Sequence, residues 1–580
     1  MQKKIFPGVP HALSVLMLSL AIAAGCGGNK SSSGSASGGG TATAKDSTIV
    51  IAISSDADNL NPLVATSKVS EFIINLLYPS LAKPSFDTAV GVLTYKPWLA
   101  SSWKLATDGK SITYTLKSGA KWDDGTAITS ADVKFTNELI GDTATRSVLQ
   151  NYLAPLVGAD KGAVDFAKAI LTPDDSTVIF NFSQPLSEGT ALNATSVSIL
   201  PKHIWEKVPR AEMRTAAAGA MPVGAGPYKL SKWERQQQLV LASNAAYSLG
   251  TAGATPRVVF QVVPDYTVRL TQLKTGAVDV IGVKVEDMAN LAKENPGIEA
   301  KPVPGTTYTY VGWTNIDPQA FKQSNGKTVK PHPLFGSKKV RQALTYAIDR
   351  QSIMDGFVGR YGTAMTAPIP PILKWAYNDS LKPYPFDAAK AKAMLAEEGW
   401  VTGPDGILQK GGKKFSFALT VDRSSNYATT VIQQNLKDIG IECKIEQAEQ
   451  VAFNSKRFGH EYDAIYAANN PLPEVDPAPF WSSDLKQSTY NDVGFQNKRV
   501  DELIALGGKE ASREKAAPYW KEFQQIIYDE QPCTFLYWQT TTVFGFNRRI
   551  EGEEVNIISP FYNIEEWRLV PAGGKPITKK

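Results

Sequence analysis

Cysteine and histidine are scarce in this 580-residue sequence, which contains three cysteines and four histidines. Three cysteines are too few for a disulfide-rich scaffold. No histidine has the spacing from another histidine or a cysteine that a zinc site requires. Cys443 and Cys533 both lie in strand-like runs, and their pairing stays open because disulfide geometry cannot be inferred from sequence. We therefore expect neither a bound metal nor a cofactor.

Sequence motifs typical of catalysis and of nucleic-acid binding are also missing. There is neither a phosphate-binding loop nor the turn that exposes a nucleophilic serine. Segment 224–229, GAGPYK, has only two of the three glycines of a dinucleotide-binding loop. Lysine and arginine are scattered, unlike the basic surface of a nucleic-acid-binding protein. We expect no nucleic-acid partner and no enzymatic activity. A secreted hydrolase is the alternative from another class, and hydrolysis of a peptide mixture would support it.

Long hydrophobic runs are limited to the N-terminus. Lys3 and Lys4 precede an apolar stretch at 12–24. This pattern is typical of a secretory signal peptide and is too short for a membrane-spanning helix. The sequence AAGC, which ends at Cys26, resembles the lipobox of bacterial lipoproteins. We expect a signal peptide at residues 1–25 and lipidation of Cys26. An ordinary signal peptide followed by a chance cysteine is the alternative.

Residues 26–47 are rich in glycine and serine, which predicts a flexible linker. A chain of some 20 such residues reaches roughly 25 Å on average. A lipid anchor followed by this linker would tether the folded part to a membrane. We therefore expect the protein in the periplasm or on the extracytoplasmic face of the cell envelope. Anchoring in an inner or an outer membrane both remain open.

The chain as a whole has the composition of a globular protein, with 43% hydrophobic and 20% charged residues. Its length predicts three or four domains at about 150 residues each. Strand-like segments alternate with amphipathic helical ones, which indicates mixed α/β domains. The apolar spacing predicts one helix over 337–359. Between 415 and 469 we predict a strand, a helix and two further strands.

One long segment carries a specific sequence pattern. Residues 99–135, LASSWKLATDGKSITYTLKSGAKWDDGTAITSADVKF, contain in order Leu-Ala, Ser-Trp, Asp-Gly, a strand with Tyr-Thr, Trp, Asp-Gly-Thr and Ala-Asp-Val. This pattern resembles the signature of bacterial extracellular solute-binding proteins of the peptide/nickel class (solute-binding protein family 5). These are the dipeptide- and oligopeptide-binding lipoproteins of ABC importers. Further matching segments occur at 224–247, 340–353, 385–400 and 462–481.

The resemblance implies an α/β fold of the periplasmic-binding-protein-like type II, with two lobes, a hinge and three domains. Domain I would be discontinuous (48–85, 222–320 and 538–580), domain II would span 86–221, and domain III, 321–537, would form the second lobe. The resemblance further implies a substrate-binding component that captures short peptides between the lobes. It would deliver them to ABC transporter permease subunits. We expect it to act as a monomer.

Segment 471–481, PLPEVDPAPFW, contains four prolines, which predict a stiff loop without a helix. A peptide enclosed in a cleft needs a counter-charge at each terminus, because burying an unpaired charge is costly. The resemblance implies that Asp476 pairs with the peptide ammonium, and Glu474 is the less favoured neighbour. The alternative is that Asp476 only caps a turn.

The peptide carboxylate needs a cation, and arginine binds two oxygens in a fork. Arg423 lies in segment 419–427, LTVDRSSNY, which ends a strand and precedes a helix. The resemblance implies this position because dipeptide binders supply their arginine from such a segment. A solvated surface arginine is an equally good interpretation. If Arg423 is the anchor, the ligand would have about two or three residues, at about 3.3–3.6 Å per extended residue.

Five further residues are candidates for lining the cleft. Trp481, Trp313 and Trp538 could contact the ligand, although tryptophan more often packs in a core. Asn59 and Thr66 lie in loops that edge the cleft in the family.

Other functions on the same fold remain open. The ligand could be a nickel–chelator complex or an oligosaccharide, and the protein could be a receptor that serves no transporter. Nickel-binding relatives use a histidine near the cleft, whereas the proline loop has none and we expect His460 to be exposed. Sugar binding would rely on tryptophan stacking. Neighbouring genes for permeases and ATPases would favour import.

Overall fold

The computed structural model of the protein describes most of the chain from residue 47 to residue 570. The described ranges are 47–159, 163–303, 305–357, 362–422, 427–485, 488, 490–510, 512–539 and 542–570. The predicted signal peptide, the predicted lipidation site at Cys26 and all but the last residue of the predicted linker lie outside these ranges.

A seven-stranded mixed sheet organises the first of two lobes. In spatial order its strands are Ile298–Val303, Thr542–Asn547, Val280–Val283, Thr48–Ile53, Arg257–Val262, Gln238–Ser243 and Tyr228–Glu234. Thr48–Ile53 runs parallel to both of its neighbours. This N-terminal strand therefore joins segments that are more than 200 residues away in sequence, and burial of its apolar residues stabilises that arrangement.

A four-stranded antiparallel sheet belongs to the same lobe. Its strands are Ala100–Leu105, Ser111–Leu116, Thr177–Asn181 and Ile170–Asp174. Tyr114 and Phe180 from this sheet belong to one hydrophobic cluster with Ile51 and Phe260 from the seven-stranded sheet. The two sheets are thus held together by a continuous core. A hairpin formed by Ala82–Asp87 and Val92–Pro97 extends from this lobe.

A six-stranded sheet organises the second lobe. In spatial order its strands are Gly362–Ala364, Cys533–Gln539, Tyr308–Trp313, Ala464–Asn469, Ser416–Asp422 and Glu442–Ala448. Cys443 and Cys533 lie in this sheet, and both are buried free cysteines. The two thiols are therefore not paired with each other.

Three short pairings complete the described strands. Val401–Thr402, Leu408–Lys410 and Lys413–Lys414 form one small three-stranded sheet. The other two pairings are the hairpin described above and the pair of Ile550–Glu551 with Arg568–Leu569.

Sixteen α-helices of the described residues flank these sheets. They are Lys68–Leu77, Ser130–Gly141, Phe166–Ala169, Glu188–Thr195, Lys202–Trp205, Tyr266–Lys274, Val285–Glu294, Pro318–Gln323, Lys338–Ala347, Arg350–Phe357, Ala388–Glu397, Tyr427–Asp438, Gln450–Phe458, Ala478–Trp481, Lys498–Lys509 and Arg513–Glu530. Short 3₁₀ turns occur at Gln150–Leu153, Arg210–Glu212, Ala217–Gly219 and Ile564–Glu566. Within the ranges the structure describes, no helix has both the length and the apolarity needed to cross a bilayer.

The single helix predicted over 337–359 is wrong. The structure has two helices, Lys338–Ala347 and Arg350–Phe357, because Ile348 adopts an extended conformation between them. The Asp349 carboxylate accepts a hydrogen bond from the backbone N–H of Ser352, which begins the second helix. The apolar spacing continues through the break because both helices bury residues in the same core.

The strand–helix–strand–strand order predicted for 415–469 omitted one element. Ser416–Asp422, Tyr427–Asp438, Glu442–Ala448 and Ala464–Asn469 confirm the four predicted segments. A further helix, Gln450–Phe458, connects the last two strands. Its apolar face is short, with Phe453 the main buried hydrophobic side chain, so the helical periodicity of this segment is weak.

Two antiparallel segments cross side by side between the lobes. Ile298–Val303 in the first lobe continues into Tyr308–Trp313 in the second, and Cys533–Gln539 returns to Thr542–Asn547. Between the sheets, the backbone N–H of Gln539 donates to the carbonyl of Thr307 at 2.9 Å. A pair of short crossings joined by few hydrogen bonds is the usual construction of a hinge.

Candidate functional site

A cavity of about 610 Å³ lies where the two lobes face each other. Its walls are mainly apolar and aromatic. The aromatic members are Phe72, Tyr95, Tyr152 and Phe544, and apolar members include Pro84, Leu93, Leu472 and Ile558. Its only charged lining residues among those the structure describes are Lys68, Glu71 and Glu474. This size and lining suit a small organic ligand with few charges.

The hairpin forms one wall of the cavity because its residues alternate between two faces. Pro84 lies directly opposite Tyr95 in the antiparallel register, and Lys83 lies opposite Lys96. Directly opposed residues project from the same face of a sheet. Tyr95 and Pro84 therefore face the cavity, whereas the two lysines project from the other face.

The hairpin also reaches the second lobe through its tip. Lys374 Nζ donates to the carbonyl of Thr88 at 2.8 Å. Gly91 has a φ of 75°, and a Cβ at this position would lie 2.0 Å from the carbonyl oxygen of Ile372. Glycine is therefore required both by the backbone conformation and by the close approach of the second lobe.

The helix Lys68–Leu77 supplies a second wall. The Ser67 side chain accepts a hydrogen bond from the N–H of Ser70 and begins the helix. Phe72 faces the cavity. Lys68 and Glu71 form an ion pair at 2.7 Å, and both side chains are at least half exposed. This pair cancels its own charge and contributes little to stability.

The proline loop is fixed against the crossing segment next to it. Thr306 donates its hydroxyl to the carbonyl of Pro471, and the Thr307 hydroxyl donates to Asn470 Oδ1 at 2.9 Å. Asn470, Pro471 and Glu474 all line the cavity. The loop is thus held at the hinge, with Glu474 directed to the space between the lobes.

Glu474 is the unpaired charge of this cavity. Its carboxylate makes no hydrogen bond or ion pair with any residue that the structure describes. Burial raises the pKa of Glu474, and the nearby charge of Asp476 raises it further, while Arg513 lowers it. An enclosed carboxylate without a partner is costly, so a positively charged ligand group would be stabilised here.

Tyr95 approaches Glu474 from the opposite wall. Its hydroxyl oxygen is enclosed and has no hydrogen-bond partner among the described residues. Burial raises the pKa of Tyr95, and the charge of Glu474 adds to this effect. Two unsatisfied polar groups on facing walls mark the polar point of an otherwise apolar cavity.

Asp476, the residue favoured from sequence, lies beside this cavity rather than in it. It lines an adjoining pocket of about 20 Å³, which shares Pro471 and Glu474 with the cavity and has room for roughly one water molecule. Burial by the surrounding loop raises its pKa, although part of the side chain is exposed. Asp476 Oδ1 accepts a hydrogen bond from the N–H of Ala478 at 3.3 Å. This contact is the turn-capping role considered as the alternative.

The prediction that the four prolines exclude a helix from 471–481 is wrong at its end. Ala478–Trp481 forms one helical turn with Pro477 at its N-cap. Pro479 lies in the first turn, where a missing N–H breaks no hydrogen bond within the helix.

Comparison with known proteins places this geometry in a family. The family described as "Bacterial extracellular solute-binding proteins, family 5 Middle" matches residues 94–491, more than half of the chain. The chain belongs to this family of solute-binding proteins. An extracytoplasmic location follows from the family, and its members are binding proteins rather than enzymes.

Two relatives illustrate the similarity of this solute-binding protein to curated sequences. The oligopeptide-binding protein AppA of Bacillus subtilis (strain 168) is 29% identical over 536 residues, which cover 90% of this chain and 91% of AppA. The glutathione-binding protein GsiB of Escherichia coli (strain K12) is 26% identical over 499 residues, which cover 83% of this chain and 87% of GsiB.

Solved structures share the fold of this solute-binding protein. AppA from Bacillus subtilis in complex with a nonapeptide is 28% identical with a TM-score of 0.66, and the match covers 90% of this chain and 99% of AppA. The unliganded open form of the periplasmic murein tripeptide binding protein MppA has a TM-score of 0.72 at 20% identity, with 92% and 99% covered. The predicted two-lobed α/β fold is confirmed.

Asn59 and Thr66 make internal contacts in this solute-binding protein. Asn59 is buried and donates its amide to the carbonyl of Arg214 at 2.7 Å. The Thr66 hydroxyl donates to Asp58 Oδ2 at 2.8 Å. Neither side chain lines the cavity. Their loop instead positions the helix Lys68–Leu77, whose residues do.

The three tryptophans chosen from sequence are buried, and none lines the large cavity. Trp313 donates its indole N–H to Thr534 Oγ1 at 3.0 Å within the six-stranded sheet. Trp538 packs edge-on against Tyr308. Trp481 lines the small pocket beside Asp476. The core interpretation describes these side chains better than ligand contact.

The predictions for Arg423 and His460 have different outcomes. Arg423 lies outside the described residues, so its role stays a prediction. The expected exposure of His460 is wrong: its side chain is buried, and its Nε2 lies 2.9 Å from the carbonyl of Asn491. Among the described residues, no group of three histidine, cysteine, aspartate or glutamate side chains could hold a metal ion.

The sequence did not identify Tyr95, Phe72, Tyr152 or Phe544 as cavity residues. Phe72 lies on the apolar face of its helix and packs partly against the core, and that face continues beyond the core into the cavity. Tyr95 could have been found from the alternation in segment 92–97, VLTYKP, had the hairpin been recognised.

Proposed function

We propose that this solute-binding protein captures short peptides between its two lobes and delivers them to the permease of an ABC importer. The observation that carries the proposal is the unpaired Glu474 carboxylate in a cavity whose walls are otherwise apolar. A free peptide supplies a single ammonium close to a largely apolar body. The peptide-binding names of relatives such as AppA support the same ligand class.

Glu474 would neutralise the peptide ammonium, and Asp476 would add a more distant negative charge. The carboxylate is already enclosed by protein, so little further desolvation is needed when the ligand arrives. The stiff loop loses little conformational entropy on binding. The Tyr95 hydroxyl would contact the same end of the peptide from the facing wall once the lobes adjust around it.

The ligand side chains would be mainly apolar. Phe72, Tyr152 and Phe544 offer aromatic surface, and Leu472 is 66% exposed on the cavity side of the proline loop. Burying apolar side chains against this surface contributes about 25 cal/mol per Å². An acidic side chain on the ligand would be repelled by Glu474, and no unpaired cation among the described lining residues would compensate for this repulsion.

Arg423 remains the proposed partner of the peptide carboxylate. In the sequence it directly follows the strand Ser416–Asp422. A guanidinium would bind both oxygens of the carboxylate and so select a free C-terminus.

The chain organisation is proposed to follow the sequence boundaries with one change. A signal peptide (1–25), lipidated Cys26 and a flexible linker to residue 47 would precede the folded body and tether it to the membrane. Pairing of Tyr308–Trp313 in the six-stranded sheet supports ending domain I's middle segment near 303 instead of 320.

The proposal is tested with a random-sequence library of tripeptides to pentapeptides in three forms: free, N-acetylated and C-amidated. Full-length protein is incubated with each form, and captured peptides are identified by mass spectrometry. We expect capture of free peptides enriched in apolar residues and loss of capture after N-acetylation. C-amidation should weaken capture if Arg423 binds the carboxylate. Equal capture of free and N-acetylated peptides would contradict the role of the enclosed carboxylate.

A further inference from the structure

A second cavity, of about 470 Å³, lies behind the hairpin wall. Its lining includes Lys83, Lys96, Lys117, Trp98 and Tyr562. It shares no lining residue with the cavity between the lobes.

The hairpin separates the two cavities because successive side chains along its strands project from opposite faces. Tyr95 projects to the cavity between the lobes, while Lys96, the next residue, projects to the opposite side. The C-terminal segment divides in the same way, with Ile558 on one side and Tyr562 on the other. The second cavity is therefore a distinct site on the back of the same wall.

The second cavity carries uncompensated positive charge. Lys83 and Lys96 are directly opposed in the hairpin, a placement that is unfavourable for like charges. Lys83 is neutralised by an ion pair with Glu565. Lys96, Lys117 and Arg568 have no ion pair with any described residue.

Lys117 is the most enclosed of these unpaired cations. Its Nζ donates one hydrogen bond, to the carbonyl of Leu249 at 2.7 Å, and its other two N–H groups have no acceptor among the residues that the structure describes. Burial lowers the pKa of Lys117. A half-buried ammonium without a carboxylate partner is stabilised by an anionic ligand.

The acidic groups of this cavity have other contacts. Glu566 accepts a hydrogen bond from Asn563 Nδ2 at 3.2 Å. Glu565 pairs with Lys83 through Oε1, while its buried Oε2 has no hydrogen-bond partner among the described residues. Glu554 is exposed and accepts from Asn556 Nδ2 at 3.5 Å. With the Lys83–Glu565 ion pair set aside, the lining of this cavity contains three cations and two acids.

Aromatic side chains supply the apolar part of the cavity. The Trp98 indole N–H donates to the Tyr247 hydroxyl at 2.9 Å, which fixes both rings. Lys83 and Lys96 lie 5.1 and 5.7 Å from the centre of the Tyr562 ring. A flat or apolar group can pack on these rings while an anionic group contacts the lysines.

We propose that this second cavity binds a small organic carboxylate with an aromatic or apolar body. Lys117 and Lys96 bind the carboxylate, and Trp98 and Tyr562 contact the body. The site is independent of peptide capture between the lobes.

The proposal is tested by isothermal titration calorimetry of the full-length protein with phenylacetate as the probe and phenylacetamide as its uncharged match. We expect saturable one-to-one binding of phenylacetate that weakens as salt is added, and no binding of the amide. Lys117→Gln should weaken the binding of phenylacetate at least about tenfold, because the substitution removes a hydrogen bond from a charged donor.

Control variants locate the probe. Lys104→Gln removes an exposed lysine of the neighbouring strand Ala100–Leu105 and should leave binding unchanged. Thermal unfolding of each variant checks that it is folded. Absence of phenylacetate binding, equal binding of acid and amide, or unchanged binding by Lys117→Gln would each overturn the proposal. Weaker binding of phenylacetate by Lys68→Gln would also overturn it, because that result would place the carboxylate between the lobes.

Discussion

A single carboxylate decides what the cleft can hold. Glu474 is enclosed and unpaired among the described residues. It lies three residues along the chain from Pro471, which makes the hinge contact, a span of about 10 Å if the chain is extended. Asp476 is two residues further along and performs a capping role. The ligand's positive charge is therefore expected at Glu474.

Substitution of Glu474 by glutamine should weaken peptide binding by about 2–5 kcal/mol, the usual effect of breaking an enclosed charge pair. Asp476→Asn is the matched control, and it should change affinity by less than about 1 kcal/mol because its charge is more distant and partly exposed. Calorimetry with a peptide captured from the library measures both. A larger loss for Asp476→Asn than for Glu474→Gln would restore the assignment made from sequence.

The raised pKa of Glu474 predicts a pH dependence of binding. As pH falls through that raised pKa, the carboxylate is protonated and no longer neutralises the ammonium, so affinity falls. One linked proton limits the effect to about tenfold per pH unit. Affinities measured over a series of decreasing pH values should reach this slope in the native protein and not in Glu474→Gln. The same slope in both would assign the titration to another group.

Among secondary-structure elements, the hairpin of Ala82–Asp87 and Val92–Pro97 has the most roles. One face lines the cavity between the lobes, the other face lines the cavity behind it, and the tip contacts the second lobe at Ile372. Phe86 packs in a hydrophobic cluster with Ile369 of the second lobe. The hairpin therefore connects ligand contact with the approach of the lobes.

Replacing Gly91 by alanine should prevent this approach, because the new Cβ would lie 2.0 Å from the carbonyl oxygen of Ile372. Gly125→Ala is the matched control: its φ of 88° imposes similar backbone strain, but no atom lies within 4 Å. We expect Gly91→Ala to weaken peptide binding at least about tenfold, on the order of 1.4 kcal/mol, and Gly125→Ala to leave it unchanged. Calorimetry that gives equal affinities for the two variants would exclude a role for the tip contact.

The sequence predicted regular elements well where apolar spacing alone determines them. The strand Ser416–Asp422 and the helix Tyr427–Asp438 appear as predicted. It failed at Ile348, where a local capping contact of Asp349 ends one helix and begins another. Such a break depends on a hydrogen bond that leaves the hydrophobic period unchanged, so periodicity cannot detect it.

The candidate site was predicted in part. The sequence singled out the proline loop as unusual. Which of its residues face the cavity depends on hydrogen bonds from Thr306 and Thr307 in the neighbouring crossing segment. Those contacts join residues more than 160 positions apart. Trp313 and Trp538 were candidates by residue type alone, and burial in the six-stranded sheet could not be separated from cleft lining without the strand order.

At the scale of the whole molecule, the two crossing segments allow the lobes to move as bodies. The crossings connect Val303 to Tyr308 and Gln539 to Thr542. The lobes keep separate large cores, so rotation about the crossings need not disturb either.

Peptide binding should therefore compact the protein. Small-angle X-ray scattering is expected to show a smaller radius of gyration when a captured peptide is added, because the ligand contacts both lobes at once. Glu474→Gln at the same peptide concentration should show less compaction. An unchanged radius of gyration at saturating peptide would show that capture does not involve lobe closure.

The central claim is that the lobes enclose a short peptide whose ammonium is neutralised by Glu474. Native mass spectrometry of the protein isolated without unfolding tests this most directly, because the retained ligand is weighed and then fragmented. The account predicts peptides with free amino termini and mainly apolar side chains. A retained sugar, metal chelate or other guest without an ammonium group would contradict it.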